Sequence, residues 1–374
     1  MIYMLYREYN PLEAATVRGR AYFRGLSELK ISATVVYFFP DKERSHMAES
    51  FEGISVRYCW EKGYINNSIL KYLSYLRYIR QLRKQLKPGD IVYIYGLNDI
   101  KARFVGINGV KVFYEVTESP YVSMPGTHLH KPTFDEYLED CRKMDGIIVI
   151  SNQLKNFFVS QGIDENKISI VNMTVDANRF SGVVKKKLGR TITYCGTVSN
   201  NKDGVDKLIR AFSIVAKHYD DVKLRLLGKI DGVKDAASNI QLIKELDLLD
   251  RVETPGQIAI ADMPQELINA TVLALCRPDN IQAQYGFPTK LGEYLLSGNP
   301  VVVTSVGDIP LFLKNGESAL LAEPNNEKDF AEKLIDILSD EKMARRIGEN
   351  GKQVALEKFN YLTETKKLAD ILDS

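Results

Sequence analysis

The amino-acid sequence predicts an α/β protein of two domains, each a parallel β-sheet with helices wound on both faces. Short apolar runs alternate with helical patterns along most of the 374 residues, an alternation typical of βαβ units. A chain of this length is too long for one ordinary core and fits two domains. Hydrophobic residues at 45% and charged residues at 26% are the balance of a folded globular protein, which excludes a disordered chain.

Six strands and four helices are predicted for the first domain. The strand segments are short and rich in Val, Ile and aromatic residues, as buried parallel strands are. They span residues 2–6, 33–39, 91–95, 110–114, 146–150 and 168–171. The helical patterns span residues 16–29, 69–86, 134–143 and 153–161. A segment with three consecutive lysines and a glycine, residues 183–190, is predicted to link this domain to the next.

The alternation then starts again and ends in helices. Strands are predicted at residues 192–195, 223–227, 251–253, 271–275, 301–304 and 318–321, and helices at 205–217, 237–246, 263–270, 288–297 and 309–314. Three helices follow from residue 327, the last over 361–372. We therefore expect an N-terminal domain over 1–182, a C-terminal domain over 183–358, and a final helix over 359–374 that packs back on the first domain. Ligand loops follow the carboxyl ends of such strands, so a site is expected where the two domains face a common cleft.

Charge and cysteine usage narrow the class of protein. The net charge is only +2, yet residues 1–113 hold 18 Lys and Arg against 10 Asp and Glu. This basic surplus suits an anionic membrane or a phosphorylated acceptor, and a nucleic acid is not expected as partner. The four cysteines are far apart with no Cys-x-x-Cys pair, which argues against a disulfide framework or a zinc site. With no signal peptide or spanning segment in the sequence, a cytoplasmic protein is expected.

Residues 284–304, QYGFPTKLGEYLLSGNPVVVT, contain the strongest local signal for a ligand site. Pro288 suits the first turn of a helix, and the N–H groups at a helix start can bind an anion. Lys290 and Glu293 are three residues apart and share one face of that helix. The pair suits a nucleoside diphosphate, with Lys290 on phosphate and Glu293 on the ribose hydroxyls. An ordinary capped helix with a surface ion pair is the alternative.

A second, weaker phosphate candidate is the segment YCGTVSNNKDG over residues 194–204, between a strand and a helix. Its glycines, Gly196 and Gly204, flank a polar loop that contains Lys202. The segment matches neither a Walker A loop nor the Gly-x-Gly-x-x-Gly fingerprint. A solvated connection between strand and helix is the alternative.

These two segments, in this order, resemble the C-terminal domain of family 4 glycosyltransferases, which are retaining enzymes of the GT-B fold. Three further segments resemble the family: residues 145–155, DGIIVISNQLK; residues 167–180, KISIVNMTVDANRF, against the interdomain crossing written P-N-G-V-D-x-x-x-F; and Gly307-Asp-Ile-Pro with Asn315-Gly-Glu. The resemblance covers residues 110–325 well and the first hundred only in outline.

The resemblance implies which residues contact the donor. Glu293 matches the second glutamate of the E-x7-E motif, and Lys202 matches the basic residue that neutralises the diphosphate. Two positions depart from the family: Tyr285 replaces the first glutamate, and Thr197 replaces an arginine, whose charge Lys290 or Arg277 would restore. The full donor set is Gly196, Thr197, Lys202, Arg277, Tyr285, Gly286, Phe287, Pro288, Thr289, Lys290 and Glu293.

The first domain is expected to bind the acceptor. Residues 113–120, FYEVTESP, resemble the family's V-H-D segment, with Thr117 for His and Glu118 for Asp. Glu118 is therefore the candidate that orients or deprotonates the acceptor hydroxyl, beside Lys202 and Lys290 as catalytic residues. Arg18, in the helix after the first strand, is a candidate for an acceptor phosphate, with a solvated basic face as the alternative. His128 and His130 are expected to be plain polar residues.

The helix predicted at residues 69–86 belongs to a basic segment without acidic residues. Its basic residues are Lys71, Arg77, Arg80, Arg83, Lys84 and Lys87. One apolar stripe is predicted from Leu70, Leu73, Leu76 and Leu82, with Ile69 and Ile79 nearby. Such a helix can lie on an anionic membrane. A packed helix with a basic outer face is the alternative.

The resemblance implies a retaining glycosyltransferase that needs neither cofactor nor metal. Consistent with this, the chain lacks an Asp-x-Asp motif. It would transfer a sugar from a UDP- or GDP-sugar to a glycan or lipid-linked acceptor in cell-surface polysaccharide assembly, on the inner face of the membrane. Two rivals are a catalytically silent GT-B scaffold, suggested by Tyr285 and Thr197, and a nucleotide-sugar epimerase of the same fold.

Overall fold

Two compact α/β units make up the chain. The computed structural model describes residues 1–9, 14–39, 50–51, 53–59, 67–98, 100–123, 132–186, 189–230 and 232–374. Unit 1 comprises residues 1–172 together with 361–374, and unit 2 comprises residues 173–360. The division between Asn172 and Met173 precedes the boundary at 182/183 that the sequence suggests. His128 and His130 lie outside the described residues.

Unit 1 is built on an eight-stranded sheet in the order β3-β4-β2-β1-β5-β6-β7-β8. The strands are β1 (Ile2–Glu8), β2 (Ala33–Phe39), β3 (Ser50–Phe51), β4 (Ile54–Tyr58), β5 (Ile91–Tyr95), β6 (Lys111–Val116), β7 (Gly146–Val149) and β8 (Ile168–Ile170). The neighbouring strands pair in parallel, except that β3 pairs antiparallel with β4. The helices are α1 (Ala14–Glu28), α2 (Ser68–Gln85), α3 (Pro120–Ser123), α4 (Phe134–Arg142) and α5 (Asn152–Ser160).

Strands β3 and β4 were not predicted. The prediction relied on continuous apolar runs, whereas β4 buries only alternate residues, Ile54, Val56 and Tyr58. A strand with one buried face shows this period of two.

Unit 2 is built on a six-stranded parallel sheet in the order β11-β10-β9-β12-β13-β14. Its strands are β9 (Thr191–Cys195), β10 (Lys223–Leu227), β11 (Val252–Gly256), β12 (Val272–Leu275), β13 (Val301–Thr304) and β14 (Leu320–Ala322). Pro255 lies in β11, which forms the sheet edge, where a missing N–H is tolerated. The predicted class, two doubly wound Rossmann-like domains, is confirmed by the two sheets.

The helices of unit 2 alternate with its strands, as the sequence predicts. They are α6 (Asn200–Asp203), α7 (Val205–Val215), α8 (Ala236–Glu245), α9 (Met263–Asn269), α10 (Ile281–Tyr285), α11 (Thr289–Leu296), α12 (Ile309–Phe312), α13 (Glu327–Ser339) and α14 (Glu341–Lys358). The short helices α6 and α10 lie in stretches that were predicted as loops.

The last helix, α15 (Tyr361–Asp373), belongs to unit 1 although it ends the chain. Leu368 and Leu372 are fully buried in the core beneath β1, beside Tyr22, Phe23 and Leu26. The Tyr361 hydroxyl donates to Glu28 Oε1 at 2.8 Å, which ties the start of α15 to the end of α1. The helix therefore completes the core of unit 1.

Replacing Leu368 by alanine is expected to destabilise unit 1 by about 2–5 kcal/mol, because the site loses buried methyl groups and keeps a cavity. Leu362, on the same helix, is 36% exposed, and its alanine variant is expected to change stability by about 0.5 kcal/mol or less. Urea unfolding of both variants measures the difference. Equal losses for the two variants would mean that α15 does not contribute to the core.

Candidate functional site

Helix α11 begins at the carboxyl ends of the strands of unit 2, after a loop held by aromatic packing. Phe287 is buried, with its ring centroid 5.4 Å from that of Phe312 and 5.5 Å from that of Phe359. Pro288 precedes the first helical residue and supplies no side-chain cap, so a side chain of the N-cap does not take up the N–H groups of the first turn. Thr289 and Lys290 follow at half-buried positions.

The structure brings together the two segments that the sequence analysis treated as separate phosphate candidates. Gly196 follows β9 and has φ +148°, which strongly favours glycine. A Cβ atom on Gly196 would lie 2.2 Å from Lys290 Nζ. The backbone of the β9 loop therefore passes directly against the ammonium group of α11, and a side chain at residue 196 would displace it.

Lys290 is held by an acidic partner that the sequence analysis did not assign. Its ammonium donates to Asp203 Oδ2 and, at 3.1 Å, to the Tyr194 hydroxyl. Asp203 is only 3% exposed, whereas Lys290 is 21% exposed. The Tyr194 hydroxyl lies 2.8 Å from Asp203 Oδ2 and 2.6 Å from the carbonyl oxygen of Thr197. We call Tyr194, Asp203 and Lys290 the lysine triad.

Burial and charge act in opposite directions on the triad. Burial alone would raise the pKa of Asp203, but the Lys290 ammonium, its hydrogen bond and Arg277 lower that pKa below its usual value. Burial raises the pKa of Tyr194 well above its usual value. At neutral pH Asp203 is therefore an ionised carboxylate and Tyr194 a neutral hydroxyl.

The loop after β9 carries Thr197 and Lys202 at exposed positions. Lys202 lies on the one-turn helix α6, and Asp235 Oδ2 accepts from the Asn200 backbone N–H at 2.8 Å. A pocket of about 700 Å³ lies beside this loop. Its lining is Thr197, Ser199, Asn201, Lys229, Gly232, Val233, Lys234 and Asp235. Although Thr197 replaces an arginine, two lysines thus line the same pocket.

Arg277 lies between the two predicted phosphate segments, but its guanidinium is bonded within the protein. Its side chain is buried and donates to three carbonyl oxygens, those of Lys202 at 3.5 Å, Gly286 at 3.3 Å and Gln282 at 3.4 Å. A guanidinium used in this way ties the β9 loop to α10. The structure gives Arg277 this structural role, in place of the contact with the diphosphate that was predicted.

Glu293 is half-buried on α11 and pairs with an arginine. Arg179 Nη1 donates to Glu293 Oε1, and Arg179 Nη2 donates to the Ile260 carbonyl oxygen at 3.1 Å. Tyr285, at the end of α10, is half-buried as well. The structure confirms that Lys290 and Glu293 lie on one helix, but it gives each of them an ionic partner within unit 2.

The acceptor candidates all lie in unit 1. Thr117 follows β6 and its hydroxyl lies 2.7 Å from the Tyr95 hydroxyl. Glu118 is half-buried beside it.

Arg18 requires a correction, because it is buried and not on a basic outer face. Its Nε donates to Glu115 Oε1 at 2.7 Å, and its Nη atoms donate to the carbonyl oxygens of Asn172 at 2.6 Å and Val171 at 2.9 Å. The side chain is 3% exposed, so a phosphate cannot reach it without opening the core. Arg18 ties α1 to β6 and to the end of the β8 segment, in place of the predicted contact with an acceptor.

The family comparison follows the same division of the chain. Residues 177–354, nearly all of unit 2, match the family described as Glycosyl transferases group 1. The match covers this part of the chain and no more. The group 1 domain thus includes Arg179, the lysine triad and Glu293, and the predicted resemblance to glycosyltransferases is confirmed.

Relatives with known roles support the family but match only in part. The capsular polysaccharide biosynthesis glycosyltransferase CapM of Staphylococcus aureus is 25% identical over 57% of this chain and 57% of its own. The N-acetyl-alpha-D-glucosaminyl L-malate synthase of Bacillus anthracis is 30% identical over 41% of this chain and 38% of its own. The chain thus spans about half the length of the relatives it matches.

Solved structures match the whole chain at low identity. Anabaena Alr3699/HepE in complex with UDP has a TM-score of 0.77 at 18% identity and is covered over 99% of both chains. A point mutant of S. aureus TarM, in complex with Fondaparinux, alpha-GlcNAc-glycerol and UDP, has a TM-score of 0.76 at 12% identity, covering 100% of this chain and 99% of that one. These matches show the fold, and the predicted GT-B class is confirmed.

Asp203, Tyr194 and Arg179 were not predicted as members of the site, although they lie in segments that carry the family resemblance. Asp203 could have been predicted as part of the site, because it lies directly before Gly204 in a loop that was already expected to bind an anion. No comparable signal existed for Arg179, because its carboxylate partner is far away in the chain.

Removing Lys290 from its ion pair with Asp203 is expected to cost more stability than removing Asp203. Lys290→Met leaves a buried carboxylate unpaired and should cost about 3–5 kcal/mol, whereas Asp203→Asn leaves an ammonium that reaches water and should cost about 1–2 kcal/mol. Because the pKa of Asp203 is lower in the folded than in the unfolded chain, the loss in Asp203→Asn should be full above about pH 4 and disappear as pH falls through the folded pKa.

Urea unfolding of both variants at pH 7, and of Asp203→Asn from pH 7 down to about 3, tests this. Arg345→Met, which removes an exposed cation paired within α14, is the matched control and should leave the free energy of unfolding nearly unchanged. Equal costs for the two triad variants would contradict the burial difference on which the expectation depends.

Proposed function

We propose that this chain is a retaining glycosyltransferase that needs no metal. It transfers a sugar from a UDP- or GDP-sugar to a glycan or lipid-linked acceptor in cell-surface polysaccharide assembly. The observation that carries the proposal is the contact between the β9 loop and the start of α11, within the part of the chain that matches group 1 glycosyltransferases. The two predicted phosphate segments thereby form one corner, in which Lys290 is paired with Asp203 and Lys202 is exposed.

The chemistry requires this corner. Transfer breaks the bond between the anomeric carbon and the β-phosphate oxygen, so negative charge develops on the departing diphosphate. In the proposed site Lys290 and Lys202 oppose that charge, with the first turn of α11 beside Lys290. Glu293 accepts hydrogen bonds from the ribose hydroxyls. The acceptor hydroxyl oxygen attacks the anomeric carbon on the face from which the diphosphate departs, so the configuration is retained. Its proton passes to Glu118 or, where Glu118 only orients the hydroxyl, to the departing diphosphate.

The relatives indicate the class of product. CapM is a capsular polysaccharide biosynthesis glycosyltransferase, and a Staphylococcus aureus relative with 21% identity is a poly(ribitol-phosphate) alpha-N-acetylglucosaminyltransferase. Both names concern a polymer, in one case a capsular polysaccharide. That the chain belongs to family 4 and uses a UDP- or GDP-sugar is part of the same proposal.

Donor hydrolysis distinguishes the proposed activity from its rivals. The protein incubated with UDP-glucose, UDP-N-acetylglucosamine, GDP-mannose and related donors is expected to release free sugar slowly from one of them. The release of no sugar, with no donor bound, would support the scaffold alternative. An isomerised sugar still attached to the nucleotide would support the epimerase.

Lys202→Ala is expected to lower kcat for donor hydrolysis about 100-fold or more, while the affinity for the nucleoside diphosphate changes less. The charge that Lys202 opposes grows in the transition state, and loss of one such group costs two to three orders of magnitude in other enzymes. Lys217→Ala, in the turn after α7, is the matched control and should keep the parental rate. Near-normal turnover in Lys202→Ala would place the diphosphate elsewhere.

The peripheral membrane contact depends on helix α2, and the structure corrects its predicted apolar stripe. Ile79 and Leu82 are buried together with Tyr75 and Leu86, so this face packs on unit 1. Three residues near the start of the helix face outward instead: Ile69, Leu70 and Leu73 are 68%, 54% and 55% exposed. The predicted stripe is therefore divided between a buried face and an exposed face of the helix, because its residues do not all lie on one side.

The outward face of α2 combines apolar and basic residues. Leu73, Arg77, Arg80 and Lys84 follow at intervals of four, three and four residues, which places them on one side of the helix, and all four are exposed. We propose that this face lies on an anionic membrane, with the leucine end inserted. Among the described residues, no helix is long and apolar enough to cross a membrane.

Arg80→Gln combined with Lys84→Gln should weaken binding to vesicles of phosphatidylglycerol and phosphatidylcholine by roughly 30-fold at low salt, since each charge near such a surface contributes about 1 kcal/mol. The matched control, Lys314→Gln with Arg345→Gln, removes two exposed charges from unit 2 and should not change binding. Co-sedimentation at low and high salt measures both. Equal binding of the wild type to neutral and anionic vesicles would contradict the proposal.

A further inference from the structure

Arg179 joins three pieces of unit 2 around Glu293. It lies in the one-turn helix Ala177–Phe180, whose start is fixed by the Asp176 carboxylate accepting from the Asn178 backbone N–H at 2.9 Å. Its guanidinium donates through Nη1 to Glu293 Oε1 on α11 and through Nη2 to the Ile260 carbonyl oxygen, in the segment between β11 and α9. The motif V-D-x-x-x-F leaves this position unspecified.

The segment that carries Arg179 is pressed against α11 at the neighbouring residue. Gly292 precedes Glu293, and a Cβ atom there would lie 2.2 Å from Met173 Cε and 2.4 Å from Val175 Cγ1. Val175 in turn donates its backbone N–H to the Phe359 carbonyl oxygen at 2.8 Å. The approach of the segment to α11 is therefore fixed by close packing as well as by the ion pair.

We propose that Arg179 is a positioning residue for nucleoside recognition: it holds Glu293 Oε1 and so directs Oε2 toward the ribose hydroxyls. This inference rests on the proposed function, in which Glu293 binds the ribose. Within the described part of the chain no hydrogen bond reaches Oε2, and the Glu293 side chain is 23% exposed. An ionised carboxylate only accepts hydrogen bonds, so its second oxygen is available to a hydroxyl donor.

The exposure of the Arg179–Glu293 pair suits a role in positioning the carboxylate better than a role in stabilising the fold. Arg179 and Glu293 are 26% and 23% exposed, and partly solvated pairs add little to folding. A guanidinium with two fixed contacts, however, restricts the carboxylate to one orientation before the ligand arrives, and this avoids an ordering cost on binding. The consequence is specific: the loss of Arg179 should weaken the recognition of ribose hydroxyls more than the recognition of base or diphosphate.

Calorimetric titration with UDP, GDP and their 2′-deoxy forms tests the inference. In the wild type the ribo form of the preferred diphosphate is expected to bind about 10–100-fold more tightly than its 2′-deoxy form, because one hydrogen bond to a charged group is lost. Glu293→Gln and Arg179→Met should each reduce this ratio to roughly 3-fold or less, and the double variant should reduce it no further. Arg179→Lys, which keeps the charge and loses the fork, should give an intermediate ratio.

The matched control is Arg225→Met. Arg225 is a partly buried arginine of the same unit, paired with Glu253 and Glu266, and its variant should keep the wild-type ratio. If Arg179→Met does not fold, as judged by its melting curve, Arg179→Lys decides: an unchanged ratio in that folded variant overturns the inference.

The outcomes separate this inference from the proposed function. A lost preference for ribose in Glu293→Gln, together with a wild-type ratio in Arg179→Met, overturns the role of Arg179 and leaves the proposed function intact. A preserved preference in Glu293→Gln overturns both the ribose contact and the inference. Failure of the wild type to bind any of the four diphosphates overturns the proposed function and, with it, the role of Arg179.

Discussion

The buried carboxylate of Asp203 is the constraint on which the arrangement of unit 2 depends. A charge that is 3% exposed needs a partner, and Asp203 meets Lys290 through an ion pair and Tyr194 through a hydrogen bond. Since Asp203 ends the loop after β9 and Lys290 begins α11, this requirement fixes a loop and a helix that are far apart in the chain. The glycine at 196 then allows the backbone to pass the ammonium.

The same ion pair bears on catalysis. A lysine whose ammonium is already held by a carboxylate carries less net positive field than a free one, yet it is better fixed in position. In the proposed site the protein therefore fixes the position of Lys290, and Lys202 on the β9 loop adds a second cation. Lys229 and Lys234 line the pocket beside that loop. The absent arginine at residue 197 is compensated by this distribution in the proposed mechanism.

A buried ion pair also organises unit 1. Arg18 and Glu115 join α1 to β6 inside an aromatic core that includes Tyr6, Tyr22 and Tyr93. Glu115 is followed two and three residues later by Thr117 and Glu118, so the pair fixes the end of the strand that presents the predicted acceptor residues.

The sequence by itself determined the fold class and most of the elements. The period of its apolar residues is a local property, and it placed β1, β2, β5 and most of the helices within a few residues of their observed bounds. It also placed Lys290 and Glu293 on one helix, because that depends only on their spacing. It failed for β3 and β4, where half of the residues face away from the core.

Only the tertiary structure decided which charges are paired. In the sequence alone, any arginine or lysine could be a cation that binds a ligand. In the structure, four of them bind an acid or a carbonyl oxygen that sheet order and loop packing bring close: Arg18, Arg179, Arg277 and Lys290. Whether a cation is buried and paired or open to a ligand depends on residues on other strands and helices. Residue type and local spacing do not show which residues of other strands and helices lie close to a given cation.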